Sequence, residues 1–302
     1  MKTAFLFPGQ ASQYVGMGKD LVERHVRARE LFERANDIMG TDLMRICFEG
    51  PAEELTQTRY TQPAIFVHSV AVAELSGVTP DMAAGHSLGE YSALVVAGAL
   101  SFDDGLRLVK KRGELMQEAG TRSPGTMAAV IGAEPALVDE VCAEAAASGI
   151  VQAANFNSPG QIVISGSVSG VDAAMELLKA RGVRIVKKLP VSGAFHSPLM
   201  QYAQDELGAV LEQTPINDAR FPVYSNVTAE AERDATTIRA NLLAQVTSPV
   251  LWENSMRNMI RDGLSRAIEM GPGNVLQGLL KRIDGNVTCA TVGTADELAA
   301  LD

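Results

Sequence analysis

Cysteine is scarce: Cys47, Cys142 and Cys289 are the only three in 302 residues, and none stands in a C-x-x-C pair. That count argues against a disulfide framework and a zinc ribbon, and a reducing, cytoplasmic setting is expected. No apolar run approaches the roughly 18 residues that a membrane span needs. Pro8 and Gly9 interrupt the apolar start too early for a signal-peptide core. Positive charge is also short. With 26 Lys and Arg against 36 Asp and Glu, the net charge is −10, so nucleic acid and anionic membrane should be repelled. There is no internal repeat, no low-complexity stretch and no metal motif of the H-E-x-x-H kind. Gly16-Met17-Gly18-Lys19 and Gly271-Pro272-Gly273 lack the spacing of a phosphate loop or dinucleotide fingerprint.

What is present is an ordinary globular balance, 46% hydrophobic and 21% charged, in a chain with room for two domains of about 150 residues. Residues 3–7 read as a buried strand ended by Pro8-Gly9, and 20–39 as one helix. Thr61-Gln62-Pro63 reads as a cap with an early proline, opening an apolar helix to Leu75. Met82-Ala83-Ala84 is a brief strand before another helix. This alternation predicts an α/β core with a mostly parallel sheet. From 125 the order becomes β-α-β-β-α-β within about 65 residues, the split arrangement of a ferredoxin-like domain. Asn157-Ser158-Pro159-Gly160 supplies its hairpin turn. Residues 125–190 are therefore expected to form a small domain inserted into a larger one built from 1–124 and 191–302.

The sharpest local signal is Gly85-His86-Ser87-Leu88-Gly89, a G-x-S-x-G between a strand and a helix. In that setting Ser87 is a candidate nucleophile, with glycines permitting a strained turn and the Leu88 N–H placed to stabilise an oxyanion. The plainer reading is a helix cap made of small residues. A serine needs a base, and there are four histidines. His25 lies in a charged helix and His68 in an apolar one, while His86 adjoins Ser87 and should diverge from it. His196, in the irregular segment 191–198, follows the serine in the chain order of hydrolase-like sites and is the candidate general base. No third carboxylate presents itself, so a backbone or amide oxygen is the alternative orienting group.

Arg112 discriminates further. On a helical wheel over 102–118, with Ser101 as N-cap, Arg112 falls near the middle of the stripe Leu108, Val109, Leu115 and Met116. A guanidinium among apolar side chains demands an anion. That anion is either an internal Asp or Glu or a carboxylate on the substrate, which a planar fork would grip with two bonds.

Taken together, these residues make the chain resemble the malonyl-CoA:acyl-carrier-protein transacylases of fatty acid synthesis. The resemblance runs in order through Phe7-Pro8-Gly9-Gln10-Ala11-Ser12-Gln13, Thr61-Gln62-Pro63-Ala64, and Gly85-His86-Ser87-Leu88-Gly89-Glu90-Tyr91-Ser92. It continues through Lys111-Arg112-Gly113, Asn157-Ser158-Pro159-Gly160-Gln161, Gly193-Ala194-Phe195-His196-Ser197, Pro249-Val250-Leu251-Trp252 and Gly271-Pro272-Gly273-Asn274-Val275-Leu276. It implies a hydrolase-like large domain with a ferredoxin-like insert and the site between them. It implies Ser87 as acylated nucleophile, His196 as its base, and the N–H groups of Gln10 and Leu88 as oxyanion hole. Arg112 would hold the malonyl carboxylate, the backbone carbonyl of Gln245 would orient the histidine, and Met116 and Phe195 would line the acyl pocket. Ala11 stands where many members carry glycine, a change expected to matter little.

The implied partners are malonyl-CoA and an acidic acyl carrier protein, the latter docking on Lys110-Lys111 or on the basic run 181–188. No cofactor is expected, since the coenzyme A thioester is a substrate, and the chain is expected to be a monomer. The alternatives are a stand-alone acyltransferase serving a polyketide synthase, a serine hydrolase or thioesterase, and a catalytically silent binding subunit.

Overall fold

The computed structural model describes residues 2–191 and 193–301; Ser192, within the segment expected to be irregular, lies outside the described residues, as do Met1 and Asp302. Among the described residues, ten strands fall into two sheets. The larger contains β1 (Lys2–Phe7) and β2 (Met82–Gly85), and the smaller β3 (Gly125–Ile131), β4 (Val151–Ser158), β5 (Gln161–Ser167) and β6 (Ile185–Lys188). The chain then returns to the larger sheet with β7 (Val223–Tyr224), β8 (Ala231–Glu232), β9 (Leu264–Met270) and β10 (Thr288–Val292).

The larger sheet runs β10-β9-β1-β2-β7-β8, parallel except for the last pair. Successive side chains of a strand point to opposite faces, and here both faces are covered. Phe5 and Phe7 belong to one buried cluster with Phe66 and Val67, while Ala4 and Leu6 belong to another with Trp252 and Leu280. That two-sided burial is why β1 reads as a continuous apolar run.

The smaller sheet is antiparallel in the order β4-β5-β3-β6. Helices Pro135–Ala145 and Val168–Ala180 pack on it through Val138, Val141, Val171 and Leu178, giving the insert its own core. Strand β4 is also tied to the large sheet's side: Phe156 N–H donates to the Val250 carbonyl, and Val250 N–H to that of Ala154. The α/β class, with a mostly parallel sheet and an inserted antiparallel one, is as expected. Among the described residues, no helix is long and apolar enough to cross a membrane.

Two local expectations need correction. The single helix over 20–39 is two, Lys19–Arg24 and Val26–Met39, separated by extended backbone at His25. Leu21, Ala28, Phe32, Ala35 and Met39 are all buried and fit one continuous wheel, which conceals the break. The other helix begins at Thr58, not at Pro63, and runs to Leu75 with the proline inside it. Thr61 is not its cap; its hydroxyl donates 2.5 Å to the Leu55 carbonyl and ties the helix to the turn before it.

Candidate active site between the two sheets

The close approach of β1, β2 and the following helix explains the G-x-S-x-G spacing. A Cβ on Gly85 would lie 1.9 Å from the Gly89 carbonyl carbon, and one on Gly89 would lie 2.0 Å from the Phe7 oxygen. Both glycines therefore serve to let backbone meet backbone. The left-handed conformation falls instead on Ser87 itself, at φ 50°. Such a backbone costs on the order of 1–3 kcal/mol and persists only where its surroundings hold it. Asn226 does the holding: its Oδ1 accepts from the Ser87 N–H at 2.6 Å, and its Nδ2 donates to the Gly85 carbonyl at 2.7 Å. Ser87 Oγ is thereby presented beyond the strand end, ahead of helix Gly89–Val96.

His196 approaches from the loop after β6, also at positive φ, 56°. Its Nε2 is 2.8 Å from Ser87 Oγ and its Nδ1 is 2.9 Å from the Gln245 carbonyl oxygen. A carbonyl only accepts, so Nδ1 carries the hydrogen and a neutral ring leaves Nε2 as an acceptor for the serine proton. Burial, reinforced by the Arg112 charge, pushes the His196 pKa down to about 3. The ring is therefore neutral at physiological pH, and its Nε2 lone pair faces the serine hydroxyl. From β4, Gln152 Nε2 donates to the His196 carbonyl at 2.9 Å, so the small sheet helps to seat this loop. His86 turns away as anticipated, its Nε2 2.9 Å from Asn157 Oδ1 and its ring beside that of Trp252.

Arg112 sits on helix Phe102–Arg122, which is capped by the Ser101 side chain, and is only 1% exposed. No Asp or Glu among the described residues pairs with it directly. Its donors go to neutral oxygens: Nη1 to Gln62 Oε1 at 2.8 Å, and Nη2 to Gln245 Oε1 at 2.9 Å and to Ser87 Oγ at 3.0 Å. The Tyr91 ring lies 5.6 Å from its Cζ, and Nε has no hydrogen-bond partner among the described residues. Of the two anions considered for this cation, an internal acid in contact is not what the fold provides.

Ser87, His196 and Arg112 open onto a cleft of about 250 Å³ between the sheets, whose walls also include Gln10, Leu88, Met116 and Phe195. Gln245 stands behind them and is wholly buried. The N–H groups of Gln10 and Leu88 donate to no described residue. Ala11, next to Gln10, adopts φ 83°. An alanine in this left-handed conformation carries a strain on the order of 1 kcal/mol relative to glycine.

Three contributors are visible only in the fold: Gln62, Asn226 and Glu90. Each acts through partners far away in the chain: Gln62 on Arg112, Asn226 on Ser87 and Glu90 on Gln245. The basic runs proved less free than expected. Lys110 Nζ donates to the Ile38 and Met39 carbonyls, Arg181 pairs with Glu140 and Glu144, and Lys188 pairs with Asp172.

Comparison with known proteins adds a family context. Residues 4–294 match the acyl transferase domain family. The chain is 48% identical over 299 residues to the malonyl CoA-acyl carrier protein transacylase of Bacillus subtilis, covering 98% of this chain and 94% of that one. It is similar to the structure of an acyl carrier protein S-malonyltransferase from Vibrio cholerae, with TM-score 0.96, 42% identity and all of both chains covered. A malonyl-transacylase solved in complex with a type II PKS acyl-carrier protein matches with TM-score 0.96 and 40% identity, over 100% of this chain and 99% of that one.

Proposed function

This chain belongs to the acyl transferase family, and on that premise we propose that it transfers malonyl from coenzyme A to the phosphopantetheine thiol of an acyl carrier protein in fatty acid synthesis. One observation carries the choice of acyl group. A buried guanidinium with no acid in contact lies 3.0 Å from the hydroxyl that would be acylated. An uncharged acyl group would leave that cation without an anion in its contact shell.

His196 Nε2 takes the Ser87 proton as Oγ attacks the thioester carbonyl, and the Nδ1 bond to Gln245 holds the ring in the tautomer that permits it. The free N–H groups of Gln10 and Leu88 receive the developing oxyanion. Coenzyme A departs as a thiol, taking the proton back from His196. Esterification turns Oγ into a weak acceptor, which frees Arg112 Nη2 for the malonyl carboxylate. The carrier thiol, giving its proton to His196, then attacks the ester; the Ser87 Oγ–acyl bond breaks, Oγ takes the proton from His196, and malonyl leaves on the new thioester. Met116 and Phe195 close the apolar side of the pocket.

No cofactor enters this chemistry; the coenzyme A thioester is consumed as substrate. We place the protein in the cytoplasm, in keeping with its three unpaired cysteines, and take it to act as a monomer. A polyketide carrier is the alternative acceptor, since a relative of the same fold is bound to one. The deciding assay mixes the enzyme with malonyl-CoA, with and without carrier protein. Malonyl-carrier formed only when carrier is present supports the reading. Rapid release of free malonate without carrier would make the chain a hydrolase.

A further inference from the structure

Glu90, near the start of helix Gly89–Val96, is 3% exposed and has no part in the chemistry above. Its Oε2 accepts from Gln245 Nε2 at 2.7 Å and from the Asn226 backbone N–H at 3.1 Å. Gln245 Nε2 also donates to the Ser87 carbonyl at 3.0 Å, so both of its hydrogens are committed. The amide oxygen is thereby turned to Arg112. The amide cannot sit the other way round: its NH₂ would face guanidinium donors, and its oxygen would face a carboxylate and a carbonyl. The side chain of Gln245 is a dipole laid between a buried acid and a buried cation, positive end to the acid.

We propose that Glu90 is a positioning residue which, through the Gln245 amide, balances the charge of Arg112 while the site is empty, and so sets how strongly the site prefers an acyl group bearing a carboxylate. The inference rests on the malonyl reading. A malonyl carboxylate on Arg112 is a second negative charge in the same buried cluster, so an ionised Glu90 opposes its arrival and a neutral Glu90 does not. An acetyl group, which lacks the carboxylate and carries no charge, is indifferent to it.

The titratable groups around Glu90 make this measurable. Burial pushes the Glu90 pKa up to about 7, opposed by its hydrogen bonds and by Arg112. Arg112 faces it from helix Phe102–Arg122 and stays charged. Burial raises Tyr91, its neighbour on the same helix, to about 12. His196, across the Gln245 main chain, is held near 3, and burial also lowers His86. Between pH 6 and 8.5 Glu90 is the member of this group whose charge changes.

The test is the ratio of kcat/KM for malonyl-CoA to that for acetyl-CoA, measured from pH 6 to 8.5 in the wild type and in Glu90→Gln. Groups that affect both substrates alike cancel in the ratio. The wild-type ratio is expected to fall about tenfold as pH rises, the change lying in KM for malonyl-CoA; one unit of mutual pKa displacement corresponds to tenfold. Glu90→Gln should keep the high ratio throughout. A flat wild-type ratio in an active enzyme overturns the proposal, and needs no variant. A variant that retains the wild-type pH dependence, or slows both substrates equally with the dependence intact, overturns it too. Failure to form any malonyl ester would instead remove the malonyl reading itself, and this inference with it.

Discussion

Arg112 Nη2 donates to Ser87 Oγ across 3.0 Å while that oxygen's own proton faces His196 Nε2 at 2.8 Å. The hydroxyl thus lies between a cation that stabilises negative charge on oxygen and a neutral base that accepts its hydrogen. Both neighbours favour the alkoxide. The same cation stands ready for a carboxylate one methylene away from the acyl carbonyl, so activation and selectivity converge on one guanidinium.

Removing that guanidinium should separate the two acyl groups. Arg112→Ala is expected to lower kcat/KM for malonyl-CoA by about 30- to 150-fold relative to acetyl-CoA, the worth of a charged hydrogen bond at roughly 2–3 kcal/mol. Parallel initial rates on the two thioesters measure it. An unchanged preference would mean that the carboxylate is held elsewhere.

Asn226 is predicted to matter without touching substrate. Asn226→Ala deletes the two side-chain bonds that hold the Ser87 backbone at positive φ. A loss of about 2–4 kcal/mol of stability is expected, together with a lower kcat. Thermal unfolding and single-turnover acylation report the two effects, and a variant matching the wild type in both would contradict the assignment.

Ala11 offers a gain. At φ 83° its Cβ strains a conformation that glycine adopts freely, although glycine loses more entropy on folding. Ala11→Gly is expected to stabilise by about 0.5–1 kcal/mol, raising Tm by roughly 2 °C. A lower Tm would show that this strain is already relieved by the surrounding loop.

Acid should destabilise the fold. Burial lowers His68 from 6.5 to about 4 and His196 from 6.5 to about 3, so each binds a proton only on unfolding when the pH lies between its folded and unfolded values. Glu90 is raised from 4.5 to about 7, so between those values it holds a proton when folded and releases it on unfolding. Two protons taken up against one released leave a net uptake of about one near pH 5.5. The directional shifts at His86 and Glu269 oppose each other in the same way. Stability should therefore fall by about 1.4 kcal/mol per unit as pH drops from roughly 6 to 5. Denaturant midpoints across that range check it, and rising stability toward acid would reverse the sign.

The layer order was legible because two-sided burial writes itself into β1 as a continuous apolar run, and the insert's strand–helix order is local. Arg112 was legible because its neighbours on one helix reveal that it is buried. Gln62, Asn226 and the Glu90–Gln245 pair were not, because their meaning arises from contacts 50 to 155 residues away in the chain. The ion pairs of Arg181 were not legible for the same reason: its glutamate partners lie 41 and 37 residues earlier. At His25 the apolar spacing continues through a break in the backbone, so periodicity alone could not locate it.

Intact mass after mixing with malonyl-CoA, and again after adding carrier protein, tests the central claim most directly. The account predicts one malonyl per chain, mapped to Ser87, discharged by carrier protein and absent from Ser87→Ala. Malonyl retained by Ser87→Ala, or mapped to another residue of the wild type, would contradict it.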